Sequence, residues 1–277
     1  MVADVIHETP DTSTLVFLTG TENLNYRAGQ FCTIDPHQFD ALARFTAYLE
    51  DKKEKREPPR AYSMCSAPHQ KYLAVTVKEE SYQRGITEYP PLLSPLLVNQ
   101  TPRGTKMVLT GFTGPYALPD DIESKTDHLV HLVAGSGAVP NFSILQDCLE
   151  RRLSLRHTFI CSNKTIEDIC FRAALDRLEE AHPQKLKVVH TLTRHPDAIA
   201  LGAKMRQGRL SLELLREFIP DPTGCVVYAC GPAIGRWERK AAARDNLAPQ
   251  PRFMEHVLEQ LKILGVPSDR IKRESYG

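Results

Sequence analysis

Short apolar runs separated by turn-forming residues fill the first half of the chain. Thr14-Leu15-Val16-Phe17-Leu18, Gln30-Phe31-Cys32-Thr33-Ile34, Leu73-Ala74-Val75-Thr76-Val77 and Lys106-Met107-Val108-Leu109 are rich in β-branched and apolar residues. Runs of this length, bounded by turn residues, predict strands. Several of them in succession, with Gly and Pro between, predict a small antiparallel β-barrel. One stretch departs from the pattern. Residues 39–49 have helix-forming composition and lead into the mixed charge run 50–57, closed by Pro58-Pro59. This reads as an inserted, exposed helix followed by a solvated flap.

The texture changes near Asp120. Strand candidates at His128–Val133, Thr158–Cys161, Lys187–His190 and Cys225–Ala229 alternate with helical segments at Asn141–Arg152, Asp168–Glu180, Ser211–Phe218 and Arg252–Leu264. Ser211 stands where a helix cap belongs. Such alternation predicts a parallel sheet covered on both faces. The expected organisation is therefore a two-domain α/β chain: an antiparallel barrel over residues 1–122, then a parallel-sheet α/β domain over residues 123–277.

Composition narrows the function classes. Of 277 residues, 42% are hydrophobic and 25% charged, with 35 Lys plus Arg against 34 Asp plus Glu. That balance gives no global attraction to nucleic acid or to a membrane surface. No apolar run approaches the roughly 20 residues of a membrane helix. The N-terminus lacks a basic segment followed by an apolar one, so the expected location is cytoplasmic. The seven cysteines contain no C-x-x-C pair. This argues against a zinc knuckle, a plant-type iron–sulfur cluster or a disulfide framework, and no metal site is expected. Most of the thiols should be small buried hydrophobes.

Two segments carry chemistry. Ala134-Gly135-Ser136-Gly137-Ala138-Val139-Pro140 joins the first strand of the second half to its first helix. Two glycines permit a sharp turn with close backbone approach, and the helix start offers free N–H groups and a positive dipole end. This makes an anion cradle where open α/β sheets bind ligands. The same residues also suit an ordinary strand-to-helix turn with Pro in the first turn. Arg60-Ala61-Tyr62-Ser63 places a forked cation and a ring on one face of a strand, since residues two apart point the same way. By itself it reads as a strand with a surface arginine and a packed tyrosine.

Five motifs follow one another in a fixed order: Tyr26-Arg27-Ala28-Gly29-Gln30-Phe31, Arg60-Ala61-Tyr62-Ser63, Gly114-Pro115-Tyr116, the Gly135–Pro140 loop and Cys230-Gly231-Pro232. This series resembles the ferredoxin–NADP reductase family, specifically the reductase components that feed oxygenases and ferredoxins, over nearly the whole chain. The resemblance implies FAD binding, with FMN as the alternative. Arg60 would contact the pyrophosphate, Tyr62 would stack on the flavin, and Ser63 would sit near N5. It implies a second pyrophosphate segment at Val77, Lys78 and Ser94. Gly135, Ser136, Gly137 and Pro140 would hold the dinucleotide. Cys230, with Gly231 and Pro232, would lie beside the nicotinamide. Some members of the family end in Glu-x-Tyr, which Glu274 and Tyr276 match with Gly277 beyond. The alternative for these residues is a frayed end. The resemblance thus gives Ser63, Cys230 and Glu274 catalytic roles.

Nucleotide choice is set after the second strand, where a carboxylate favours a free ribose 2′-hydroxyl and cations favour a 2′-phosphate. Ser162, Lys164 and Arg172 stand there, which leans toward NADPH over NADH. The expected function is a flavin-dependent NAD(P)H oxidoreductase that passes electrons to a separate acceptor, a ferredoxin or an oxygenase component. Lys52-Lys53 and Arg151-Arg152 offer basic patches to an acidic partner, though each is equally plain surface. The alternatives are a non-catalytic flavin-bearing electron-transfer subunit and a dinucleotide-binding sensor. A sensor leaves Arg60-Ala61-Tyr62-Ser63 unexplained.

Overall fold

The computed structural model describes residues 1–20 and 24–276; Gly277 lies outside the described residues. The first half holds β1 (Val2–Thr9), β2 (Thr12–Phe17), β3 (Phe31–Ile34), α1 (Ala43–Lys53), β4 (Arg60–Ser63), β5 (Leu73–Lys78), α2 (Ser94–Asn99) and β6 (Thr110–Thr113). Two antiparallel sheets, ordered β1-β2-β5 and β4-β3-β6, close around one core. Alternation supplies that core. Leu15, Phe17, Val75 and Val77 from one sheet meet Cys32, Ile34 and Met64 from the other, with Leu93 just before α2 and Leu97 within it. An isolated bridge between Met64 and Val75 carries the chain from one sheet to the other.

The strand expected at residues 106–109 stands instead at Thr110–Thr113. Met107 and Leu109 still pack on the barrel core. Val108, however, is 64% exposed, and its N–H donates to Gln38 Oε1 at 2.6 Å. A side chain, not a neighbouring strand, holds that run.

After α3 (Ile122–Lys125) come β7 (His128–Ala134), α4 (Ala138–Glu150), β8 (Arg156–Asn163), α5 (Arg172–Ala181), β9 (Leu186–Leu192), β10 (Met205–Gln207), α6 (Leu212–Phe218), β11 (Val226–Pro232), α7 (Arg236–Arg244), α8 (Phe253–Leu264) and β12 (Ile271–Tyr276). The six strands form one sheet, ordered β10-β9-β8-β7-β11-β12 and parallel at every pairing. Both faces are apolar. Val133, Phe159, Cys161 and Val188 pack beneath α4 and α5. Val130, Leu132, Ile160 and Val189 pack against α6 and α8. Ser211 caps α6 by accepting from the Leu214 N–H. From β7 the strand order runs outward both ways, so the carboxyl ends of β7 and β11 flank the crevice where such sheets bind ligands.

The two halves share buried clusters. Cys65 and Ala74 of the barrel join Phe142, Leu145 and Phe171 of the sheet domain. Ala28, Tyr116 and Leu118 join Ile144, Tyr228 and Cys230. All seven cysteines are buried.

Candidate active site

Three strand ends meet at the boundary between the halves. β11 pairs with β12 so that Cys230 lies opposite Glu274 and Pro232 opposite Tyr276. From the barrel, Ser63 at the end of β4 donates its hydroxyl to Glu274 Oε1 at 3.3 Å and lies 2.7 Å from the Tyr276 hydroxyl. The Ser63 and Tyr276 hydroxyls share one hydrogen bond in which either can donate. Cys230 is fully buried and packs with Tyr276. Burial pushes the Glu274 carboxyl above its ordinary value, against the hydrogen bonds of Tyr276 and Ser63. Burial first and the Glu274 charge second push the Cys230 thiol upward. The site therefore holds a carboxyl with raised proton affinity, a hydroxyl relay and an inert thiol, built from both halves of the chain.

The Gly135–Gly137 turn meets this cluster from the side. A Cβ on Gly137 would stand 2.1 Å from the Cys230 carbonyl oxygen and 2.5 Å from its carbon. Only glycine lets the turn lie on the end of β11. Gly231 is confined in the same way, 2.6 Å from Phe253 Cδ1. Gly135 has positive φ, nothing near its Cβ direction, and donates its N–H to Asn163 Oδ1 at 3.2 Å. Pro140 is buried in the first turn of α4, and Ser136 is half-buried. Ser162 pairs with Ala134 beside the turn, while Lys164 is exposed just beyond β8.

The other expected residues lie differently. Tyr62 is half-buried against the barrel core, and Arg60 stands two residues before it on β4. Arg60 is already engaged: Nη2 donates to Glu57 Oε2 at 2.5 Å and Nη1 to the Pro58 carbonyl at 2.7 Å. Glu57 is 2% exposed and also takes Lys53 Nζ at 2.5 Å. The charge run read as a solvated flap thus contains a buried carboxylate between two cations. Burial raises the Glu57 carboxyl, but the hydrogen bonds from Lys53 and Arg60 outweigh it and hold it low. Val77 lies wholly within the barrel core. The Lys78 ammonium pairs with Asp11 at 2.6 Å, and Ser94 Oγ accepts from the Glu80 N–H at 3.0 Å. These three do not join the cluster around Ser63. Of the basic patches, Lys53 is committed to Glu57 and Arg151 to Asp147.

Sequence reasoning missed Glu57, Asn163 and Asn141. Asn163 sits between Ser162 and Lys164, so position pointed to it. Glu57 and Asn141 carry no local signal, because their partners come from the fold.

The two-sheet barrel followed by a six-stranded parallel sheet is a fold shared with solved FAD/NAD-binding and ferredoxin–NADP⁺ reductase structures, and the likeness is one of fold. Residues 132–234, which contain the Gly135 turn and Cys230, match the oxidoreductase NAD-binding domain family. Over 264 residues the chain is 25% identical to NADH-cytochrome b5 reductase 2 of Coccidioides immitis, covering 92% of this chain and 74% of that protein. Over 103 residues it is 37% identical to the NADPH nitrate reductase of Aspergillus niger, covering 36% of this chain and 11% of that much longer protein. Among solved structures, the FAD/NAD-binding domain of a Vibrio cholerae nitric oxide dioxygenase superposes with a TM-score of 0.72 at 21% identity, covering 100% of this chain and 97% of that one. Among the described residues no helix is long and apolar enough to cross a membrane.

Proposed function

We propose that the chain is an FAD-dependent NAD(P)H oxidoreductase that hands electrons to a separate one-electron acceptor. One observation carries this reading: Ser63 of the barrel touches Glu274 and Tyr276 of the sheet domain, beside Cys230. Residues from a flavin-type barrel and a nucleotide-type sheet therefore share one site. The division is proposed as 1–122 for the barrel and 123–277 for the sheet domain.

The residues suit both groups. The Gly135–Gly137 turn presents no side chain at Gly135 or Gly137 and leads into a 13-residue helix, which suits a phosphate. Gly135, Ser136, Gly137 and Pro140 would seat the dinucleotide, and Cys230, Gly231 and Pro232 the nicotinamide. Arg60 and Ser63 stand three residues apart on one strand, about 10 Å at the strand rise. That span suits a ring at Ser63 and Tyr62 and a phosphate at Arg60. Arg60, Lys78 and Ser94 are all held by protein partners, and a phosphate at Arg60 is common to both flavins, so FAD rather than FMN is proposed from the family resemblance. Ser162 and Lys164 lean the choice toward NADPH.

A bound flavin supplies conversion of a two-electron hydride into single electrons. The protein's residues supply position and proton control. Tyr276 and Cys230 fill the face where a nicotinamide would lie and exclude water from it. Ser63 offers a hydroxyl, and Glu274 a carboxyl of raised proton affinity, where charge changes during reduction. The acceptor is proposed as a ferredoxin or an oxygenase component, in the cytoplasm; the name of one relative adds a cytochrome b5.

Anaerobic stopped-flow tests this. FAD-loaded protein is expected to be yellow and to bleach on mixing with NADPH, faster than with NADH. Ser63→Ala and Glu274→Gln should each slow bleaching about a hundredfold or more, the scale of losing one positioned donor or charge. Protein that takes up no flavin ends the proposal. Protein that is yellow yet bleaches only with a partner present fits the electron-transfer subunit instead.

A further inference from the structure

A buried polar chain crosses the sheet domain and takes no part in the chemistry above. Tyr116, Asn141, His131 and His157 are 2%, 0%, 0% and 3% exposed. Asn141 Nδ2 donates to the Tyr116 hydroxyl at 2.9 Å and to the Gly137 carbonyl at 3.3 Å. The opposite amide orientation would set Oδ1 against the Gly137 oxygen, acceptor to acceptor, so the donors must point this way. Oδ1 then accepts from His131 Nδ1 at 2.9 Å. Burial holds His131 neutral, its pKa lowered to about 4. With its proton on Nδ1, His131 offers the Nε2 lone pair to His157 Nδ1, 3.2 Å away. One amide thereby fixes the tautomers of two buried histidines.

The chain begins where the two halves touch. Gly137 ends the nucleotide turn and lies on the Cys230 carbonyl. Tyr116 belongs to the segment leaving the barrel, and its own carbonyl presses on Gly29, where a Cβ would be 2.4 Å away. Leu118 N–H donates to the Ala28 carbonyl at 3.1 Å. Asn141 hydrogen-bonds both the turn and that barrel segment.

We infer that Asn141, acting through Tyr116, is a positioning residue for the nicotinamide nucleotide, a role that rests on the Gly135–Gly137 turn being its site. By holding the Gly137 carbonyl and the Tyr116 hydroxyl together, Asn141 sets the height of the turn against the barrel. That fixes where a nucleotide is delivered relative to Ser63. His131 and His157 hold Asn141 in the one orientation that can do this.

The test uses the FAD-loaded full chain. Tyr116→Phe removes the acceptor and keeps the ring; Asn141→Asp keeps the acceptor facing His131 and removes both donors. Dissociation constants for NADP⁺ and NAD⁺, KM and kcat for NADPH and NADH, flavin content and melting temperature are measured on each. Expected is a rise of about tenfold in dissociation constant and KM for Tyr116→Phe, the scale of one buried donor left unpaired. Its flavin content should be retained and its kcat should fall less than its nucleotide affinity, and Asn141→Asp should lose more nucleotide affinity. A fall in melting temperature with unchanged nucleotide affinity in whichever variant folds overturns the assignment and leaves a structural role. Wild-type protein that keeps flavin but binds neither nucleotide overturns the reading of the turn itself.

Discussion

His190 on β9 is 1% exposed, and neither ring nitrogen has a hydrogen-bond partner among the described residues. A buried polar group left unpaired costs about 1–3 kcal/mol. His190→Leu should therefore leave the protein at least as stable as wild type at pH 7. Acid adds a second effect. Burial lowers the His190 pKa to about 4, so the folded state keeps the ring neutral while the unfolded chain protonates near 6.5. Stability from this group is complete above pH 6.5 and is lost as pH falls toward 4. The loss is roughly 3 kcal/mol at 1.4 kcal/mol per pH unit. Urea melts at pH 7 and pH 4.5 should show a steeper acid loss in wild type than in His190→Leu; equal slopes would exclude the effect. Glu274 has the opposite sign. Its raised pKa disfavours the folded state once pH exceeds that raised value, so Glu274→Gln should raise the melting temperature at pH 8. The gain should shrink below pH 4.5, where both states are protonated. At this scale the sequence singled out Ser63 and Cys230 by their place in the ordered motifs, and Glu274 and Tyr276 by the Glu-x-Tyr resemblance; the fold brings the four together. The sequence did not expose Asn141 or His190, since an amide or imidazole inside an apolar pattern looks the same whether satisfied or orphaned.

Elements with both faces buried were the most legible. β5, β7, β9 and β11 lie within a few residues of their predicted spans, as do α4 and α8. Edge elements were not. β1 is mostly part-buried or exposed, and β12, Ile-Lys-Arg-Glu-Ser-Tyr, is polar between its end residues. β12 exists because its backbone pairs with β11, which no local pattern records. The same limit hid the use of the inserted helix. α1 presents Glu50, whose Oε1 accepts from the Glu57 N–H at 2.8 Å, and Lys53, which reaches the Glu57 carboxylate. His37 Nε2 closes the set 2.9 Å from Glu50 Oε1. The insertion thus holds the Arg60 guanidinium through Glu57. Glu57→Gln should weaken FAD retention about tenfold, since one charge-assisted bond in a part-buried triad is worth about 1.5–3 kcal/mol. Equilibrium dialysis against FAD measures this. Retention equal to wild type would mean that Arg60 needs no such support. Lowering pH should act likewise, because Glu57 contributes stability above its unfolded pKa and loses it as pH falls through its depressed folded value.

Within the whole molecule, the order of motifs made the two-domain plan visible, but not how tightly the halves would join. Domain interfaces within a chain commonly permit motion. Here the junction has the character of a core. Phe142 and Phe171 stack at 4.4 Å within a cluster that includes Cys65 and Ala74 of the barrel. Ser143 Oγ donates to the Ser66 carbonyl at 2.7 Å, Gln146 Nε2 to the Cys65 carbonyl at 3.0 Å, and the Phe171 N–H to Glu8 Oε2 at 3.2 Å. Separating the halves would expose these apolar side chains and strand buried carbonyls, so neither half should survive long without the other. The chain should melt in one transition, with calorimetric and van't Hoff enthalpies equal. Gly29→Ala tests the same junction from one atom. Gly29 has a φ of 93°, and a Cβ there would lie 2.4 Å from the Tyr116 carbonyl oxygen and 2.9 Å from Ile144 Cδ1. The added methyl must push the barrel off α4, at a cost of about 1–3 kcal/mol for overpacking. In a shared core that cost lowers the single melting temperature by several degrees and leaves one transition. In two loosely joined domains it would instead split the melt in two, with the sheet domain's transition unmoved.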